Sequence, residues 1–337
     1  MSSPVVVAPA GDAAAPPQGR HPLARLIARR TLLGLLTLLL VSLLVFWATQ
    51  VLPGDAAQAI LGRNATPESL SALREQLHLD RSPAAQYMTW LHGLLTGDTG
   101  SSLTTSSSVW DLVAPRLKNS AILLALVVVI AIPLALLAGV TAGVRRDTPF
   151  DHATSTLALM AAAVPEFVVA IALILLFASL VFQLVPPVSL VPPGESPLSN
   201  PQILVLPVAT LTIAVVPYIL RMVRAAIIES MNSEYVEMAR LKGLTRNRVV
   251  FAHALPNSLP PTIQAIGLTL AYLAGGVVVV EYVFGYPGIG QALVTAVNAR
   301  DVPVIQFIVI VLAAFYIIVN VTTDVISLLL SPKARTR

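Results

Sequence analysis

Three carboxylates stand where apolar sequence surrounds them. Glu166 lies inside a hydrophobic run, Glu281 at the end of another, and Asp324 near the end of the last. A carboxylate at the centre of a bilayer costs about 2.5–3.5 kcal/mol on insertion scales, so each needs a partner or a polar path. Other groups able to do chemistry are sparse. The chain has no cysteine, which excludes disulfides, thiolate catalysis and Cys-ligated zinc. Its five histidines are scattered, with no H-x-x-x-H pair. No G-x-x-x-x-G-K-[ST] loop cradles phosphates, and no G-x-S-x-G elbow marks a hydrolase. No catalytic, metal or cofactor-binding set is expected on this chain. The densest charge lies instead in one stretch, "EMARLKGLTRNRVVFAHALPNS", from Glu237 to Ser258.

The elements that must position these groups are membrane helices. Of 337 residues, 56% are hydrophobic and only 11% charged, against about 25% charged in a soluble domain. A bilayer core about 30 Å thick takes about 20 apolar residues in a helix. Six runs qualify, roughly Thr31–Val51, Ser120–Val144, Thr154–Phe182, Ile203–Leu220, Pro261–Val283 and Val304–Leu330. Pro133, Pro165, Pro207 and Pro217 interrupt them, and packing in a bundle re-satisfies carbonyls freed by such breaks.

Basic residues set the orientation. They concentrate before the first span (Arg20, Arg25, Arg29, Arg30), after the second (Arg145, Arg146), around the fourth-to-fifth connection and after the last (Lys333, Arg335, Arg337). Fewer lie on the other side: Arg63, Arg74, Arg81, Arg116, Lys118 and Arg300. Both termini are therefore expected in the cytoplasm. Ala57-Gln58-Ala59 resembles a signal cleavage site, but the preceding apolar run exceeds the 7–15 residues of a signal peptide's core. Retention of the first helix is expected.

The expected divisions are a disordered tail over 1–19, a basic flank and first span over 20–51, and an extracytoplasmic segment with short helices over 52–119. A five-helix core follows over 120–332, containing the cytoplasmic segment 232–258, and then a basic tail over 333–337. Within the outside segment, Thr66 caps a short helix with Pro67 first and Glu68 in its first turn. Tyr87, Trp90, Leu91 and Leu94 mark the apolar face of a second helix, and Trp90 and Trp110 suit interface anchoring; the segment reads as a lid on the bundle, with a platform for an extracytoplasmic partner as the alternative. The proline-rich "VPPVSLVPPGESPLSNP" is an extended outside loop without evident chemistry.

The charged stretch reads as two short helices. Asn232 or Ser233 caps the first, with Glu234 and Glu237 early and Arg240 and Lys242 late, as the helix dipole favours. Gly243 suits the left-handed closing position, with Leu244 folding back toward Met238 or Ala239. Thr245 caps the second helix, expected to run to about Ala254 and end before Pro256. A solvated connection and a docking foot for a soluble partner are equally compatible with this pattern; a DNA-binding helix pair is not, because two spans pin it at the headgroups.

These residues carry a resemblance. Glu237-Met238-Ala239, then Gly243, then His253-x-Leu255-Pro256 resembles the E-A-A-x-x-x-G-x₉-I-x-L-P signature of ABC importer permeases, with Met238 and His253 as departures. "EYVFGYPGIGQALVTAVNARDVPVIQ", from Glu281 to Gln306, is similar to the E-x-V-F-x-x-P-G-x-G segment of the dipeptide/oligopeptide/nickel permease subfamily. "PGD" at Pro53, "GDTGSS" at Gly97 and "NVTTD" at Asn320 are similar too, so the resemblance spans about Arg25 to Pro332. It implies an all-α integral membrane protein of six spans, a type I ABC importer permease-like bundle in the cytoplasmic membrane.

The resemblance further implies a transport subunit rather than an enzyme, with ATP and Mg bound by separate subunits. Its partners would be a second, similar permease, two cytoplasmic ATPases, an extracytoplasmic substrate-binding protein and membrane lipids, with no nucleic acid. Coupling would fall to Glu237, Ala239, Arg240, Lys242, Gly243, Arg246, His253, Leu255 and Pro256, with Arg240, Lys242, Arg246 and Arg248 meeting acidic groups or phospholipid headgroups. Short peptides are the implied cargo, nickel or another small solute the alternative.

Glu166 lies about 18 Å into the third run at 1.5 Å per residue, near the midplane. A structural hydrogen bond to a neighbouring helix or a partner permease is the expectation, a pathway carboxylate meeting an ammonium group the alternative. Asp324 is expected to pair with an arginine. Glu281 is expected to brace the loop Phe284–Gly290, which Pro287, Gly288 and Gly290 shape as a re-entrant or lid-like segment rather than a helix. An ion-coupled secondary transporter would also use Glu166 and Asp324, but the internal repeat of that class is not evident. An intramembrane hydrolase lacks its motif.

Overall fold

The computed structural model describes residues 22–51, 66–76 and 82–330. The 1–19 tail, the Pro53 triplet, the Ala57-Gln58-Ala59 site and the 333–337 tail lie outside them. The described chain is helical, in the order α1 (Pro22–Val51), α2 (Pro67–Gln76), α3 (Pro83–Thr96), α4 (Val109–Val144), α5 (Pro149–Ala163), α6 (Glu166–Ile174) and α7 (Gln202–Met231). Then come α8 (Glu234–Leu241), α9 (Arg246–Val249), α10 (Leu255–Phe284), α11 (Ile289–Ala299) and α12 (Val302–Leu330). Among the described residues five helical stretches are long and apolar enough to cross a membrane, and a bent pair, α5 with α6, makes a sixth if counted as one span.

The centre of the bundle is α4 against α7, with α10 alongside. Along α4, Leu123, Val127, Ala131, Ala135, Gly139 and Gly143 are buried at four-residue spacing, a stripe whose side chains shrink toward one end. There α7 comes closest. A Cβ on Gly139 would lie 2.7 Å from the Leu220 carbonyl oxygen, and one on Gly143 would lie 2.8 Å from Ile227. In lipid, where apolar burial adds little, such close packing holds helices together. The G-x-x-x-G spacing was the signal for this contact.

Prolines act unequally. Pro133, Pro207 and Pro217 sit inside unbroken helices. Pro207 lacks the N–H that would reach the Ile203 carbonyl, and the buried Ser189 hydroxyl supplies a hydrogen bond there at 2.6 Å. Ser189 also donates its own N–H to the Phe284 carbonyl at 2.7 Å. The proline-rich loop is thus stapled to the ends of α7 and α10. At Pro165 the outcome differs. Val164, which precedes it, is extended, as the residue before a proline prefers, and the chain bends by 98° between α5 and α6. The third run is therefore not one continuous span.

Three boundaries also move. Helix α4 begins at Val109 and runs 36 residues, about 54 Å at 1.5 Å per residue, so it extends well outside the expected second span and into the 52–119 segment. Helix α7 continues to Met231. The helix after Thr245 does not end before Pro256: a π-turn over Val250–Ala254 joins α9 to α10 without a break. The π-turn ends two residues before Pro256, and both a π-bulge and a proline are recognised sources of local helix distortion.

At the margin of the bundle, α1 packs on α12 through the Arg30–Asp324 ion pair at 3.0 Å and a Gln306–Thr49 hydrogen bond at 2.9 Å. Helix α3 lies on α1. Tyr87 is buried, its hydroxyl 2.9 Å from Ser42, with the Phe46 and Trp90 rings against it. Trp110 sits edge-on to Phe307. Thr66 accepts the Ser69 N–H at 3.2 Å and so caps α2.

Candidate coupling foot and its braces

After α7 the chain reverses at Asn232. Ser233 takes the N-cap position of α8 with extended backbone, although its hydroxyl donates back to the Ser230 carbonyl rather than capping. Val236 and Ala239 face inward and pack with Val249 and Ala254, with Met231 and Leu244 closing the cluster. Gly243 sits at φ +78°, left-handed, where a side chain would be strained. Leu244 then donates its N–H to the Ala239 carbonyl at 3.3 Å, folding back as its spacing requires. Two short helices and a six-residue core thus make a compact foot at one end of the bundle.

The foot is tied to the spans by arginines. Arg246 donates to the Val144 carbonyl, the last of α4, at 2.7 Å. Arg240 reaches the Met231 carbonyl at 3.5 Å. Nearby, Arg224 of α7 holds the fully buried Asp151 of α5 with two donors, the second at 2.8 Å. The Asp147 N–H donates to the same carboxylate at 3.0 Å.

The foot's outward face is mixed. Glu237, Arg240, Lys242 and Arg246 are exposed, while Ala239 is buried and His253, Leu255 and Pro256 are half-buried. Among the described residues the Glu237 carboxylate makes no hydrogen bond or ion pair. The foot also leaves Tyr235, Met238, Leu241 and Phe251 exposed, Leu241 at 76%. Of these, only Met238 stood out from the spacing, as a departure from the signature. Their signal was the departure from a polar pattern on a helix face with no span to bury it.

At the α10–α11 link, Glu281 is fully buried. Its carboxylate accepts from the Ser120 hydroxyl at 2.5 Å, the Gly290 N–H at 2.7 Å and the Gln291 N–H at 3.4 Å. Ser120 in turn accepts the Ile289 N–H at 2.9 Å. The carboxylate therefore caps α11, where the dipole favours negative charge. Asn119 donates to the Pro287 carbonyl at 2.9 Å, and the Tyr286 hydroxyl donates to the Asn119 carbonyl at 2.7 Å. Burial pushes the Tyr286 phenol above the ordinary tyrosine range, which keeps it a donor. Phe284 ends α10 fully buried, and Gly290 lies in α11, so the loop is only Gly285–Gly288 and not Phe284–Gly290. A Cβ on Gly288 would fall on the Glu281 carboxylate, and one on Gly290 on the Val278 backbone.

Asp301 forms a second tie that spacing did not reveal. It accepts from the Ser102 and Thr104 hydroxyls, the latter at 2.9 Å, and from the Leu103 N–H at 3.1 Å. The "GDTGSS" segment is thereby fastened to the α11–α12 corner. Glu166 begins α6 at the bend, not in mid-helix. The Tyr272 hydroxyl of α10 donates to it at 3.4 Å, and the Tyr218 ring lies 6.3 Å from that of Tyr272. Both tyrosines are about half exposed.

Comparison with known proteins agrees with this architecture. The family model described as "binding-protein-dependent transport system inner membrane component" matches residues 131–336, and its N-terminal companion matches residues 23–125. The chain belongs to this family, as a multi-pass component of the cytoplasmic membrane and an ABC importer permease. It is 35% identical over 310 residues to a Brucella abortus (strain 2308) protein named for a peptide transport system permease, covering 92% of this chain and 98% of that one. A Sinorhizobium fredii relative named for a peptide ABC transporter permease is 31% identical, with 92% and 98% covered. The glutathione transport system permease protein of Escherichia coli O6:H1 is 33% identical, with 91% and 97% covered.

Proposed function

We propose that this chain forms half of a pathway importing short peptides and is driven through the foot by cytoplasmic ATPases. The observation that carries the coupling reading is the foot itself. It is a folded unit with its own core, tied by Arg246 to α4 and continuous through α9 with the α10 span, so a push on α8 reaches two spans as a rigid displacement. The exposed Glu237, Tyr235 and Leu241 offer an ATPase both a charge and apolar anchors. Two relatives named for peptide transport and one for glutathione support a short peptide as cargo. A second permease completes the pathway, and a binding protein outside delivers the cargo. Both termini lie in the cytoplasm, as the distribution of basic residues favours. At the bend, Glu166 with the two tyrosines gives a peptide's ammonium group a carboxylate and aromatic faces.

Purification of the chain from its native membrane in mild detergent, followed by an ATPase assay, tests this. The expected result is co-purification of ATPases and a second permease, with loss or uncoupling in Gly243→Pro. A stable chain that purifies without any ATPase sinks the proposal.

A further inference from the structure

A cleft of about 480 Å³ opens between the ends of α4 and α7 and the foot, within the about 300–1,000 Å³ of small-ligand sites. Three arginines line it, Arg146, Arg240 and Arg246, with Asn232 as a further polar lining residue and no carboxylate among the lining residues. Its other wall is apolar, formed by Val144 of α4 and Ile228 and Met231 of α7. These are the last turns of two spans, so the cleft lies where helices leave the hydrocarbon. We infer that it binds the phosphate group of an anionic phospholipid, with the lipid's glycerol and upper acyl chain against the apolar wall.

The competing use of these arginines is capping. The carbonyl ends of α4 and α7 carry partial negative charge, and Arg246 and Arg240 each reach one such carbonyl, at 2.7 and 3.5 Å. Each guanidinium has five N–H donors, so capping leaves most of them directed elsewhere. Among the described residues Arg146 caps no helix end and makes one ion pair, with the exposed Asp147 at 3.3 Å. Phosphate accepts several charge-assisted bonds at once, which suits a cleft lined by three arginines. A soluble phosphate would satisfy the arginines but not the apolar wall. The inference stands apart from the identity of the cargo.

The complete transporter, with its partner subunits, would be reconstituted in phosphatidylcholine vesicles carrying a trace of photoactivatable phosphatidylglycerol or photoactivatable phosphatidylcholine. Cross-linked peptides would then be mapped. The expected result is labelling of 143–146 and 228–249 by the glycerol lipid in preference to the choline lipid. Arg146→Gln should lower it about fivefold, the loss of one basic contact at a membrane surface, and Arg146→Lys should retain it. Equal labelling by both lipids, or labelling indifferent to Arg146→Gln, overturns the inference. Labelling abolished by added inorganic phosphate identifies a soluble anion and overturns it as well. Labelling that emerges only after the ATPases are stripped away assigns the cleft to a partner's acidic group, with the same consequence.

Discussion

Ser120 and Glu281 are 161 positions apart and meet at 2.5 Å, inside the bundle, where the serine also receives the N–H that opens α11. One hydroxyl thereby joins α4, α10 and α11. Ser120→Ala removes a donor from a buried carboxylate and an acceptor from a buried amide. The expected cost is about 1–3 kcal/mol for each unsatisfied group, read as a lower thermal midpoint in detergent. Glu281→Ala should cost more, because it also uncaps α11. Equal stability of wild type and Ser120→Ala would show that water replaces the hydroxyl without loss.

Gly290 and Gly275 make a controlled pair. Both are helical, but a Cβ on Gly290 meets the Val278 backbone, whereas one on Gly275 meets nothing within 4 Å. Gly290→Ala should destabilise by about 1–3 kcal/mol, as overpacking does. Gly275→Ala should be neutral or slightly stabilising, since alanine favours helix over glycine. Thermal unfolding of the two variants side by side checks the difference, and a reversed order would refute the packing account.

Asp151 is fully buried and Arg224 is its counter-charge. Arg224→Ala leaves the carboxylate unpaired, for an expected loss of about 3–5 kcal/mol. The double variant Asp151→Ala/Arg224→Ala should recover part of that loss. A double-mutant cycle on stability measures the coupling directly, and strict additivity would mean that the pair contributes nothing.

Gly243 carries the foot's reversal at φ +78° with open space around it. Gly243→Ala therefore meets no steric clash and bears only the left-handed backbone cost of about 1–2 kcal/mol. The strain is confined to the foot, so the thermal midpoint should fall only slightly while transport-coupled ATP hydrolysis drops. Gly243→Asn should be milder, because asparagine tolerates that conformation better. Loss of assembly in Gly243→Ala, as opposed to weaker coupling, would count against a local effect.

Asp301 fastens the segment from Ser102 to Thr104 to the corner before α12. Asp301→Ala should free that segment, seen as faster amide hydrogen exchange at Leu103 and Thr104 with little change in the foot. Unchanged exchange would show that the Ser101–Ser108 bridge holds the segment without help.

Much of this molecule was written locally. Five of the six spans follow from runs of apolar residues, and the foot's reversal follows from Gly243 between a dipole-matched helix and Leu244. Thr66-Pro67-Glu68 marked its helix start, and Asp324 asked for an arginine. Each of these depends on neighbours within a turn or two, or on burial in lipid, so composition and spacing suffice. What remained hidden was pairing at a distance. Nothing near Ser120, Asp301 or Asp151 in the chain tells them from any other serine or aspartate. Their partners lie 161, 199 and 73 positions away.

The prolines make the same division. Of the four that interrupt apolar runs, only Pro165 bends the chain, by turning its predecessor extended, whereas the carbonyl that Pro207 frees accepts from Ser189, in a loop outside the helix. The apolar pattern alone determined that helices would cross the membrane. Which of them break, what caps α11 and where the foot is fastened were decided only by tertiary structure, since a buried donor or acceptor must be satisfied by whatever group the packed chain brings within reach.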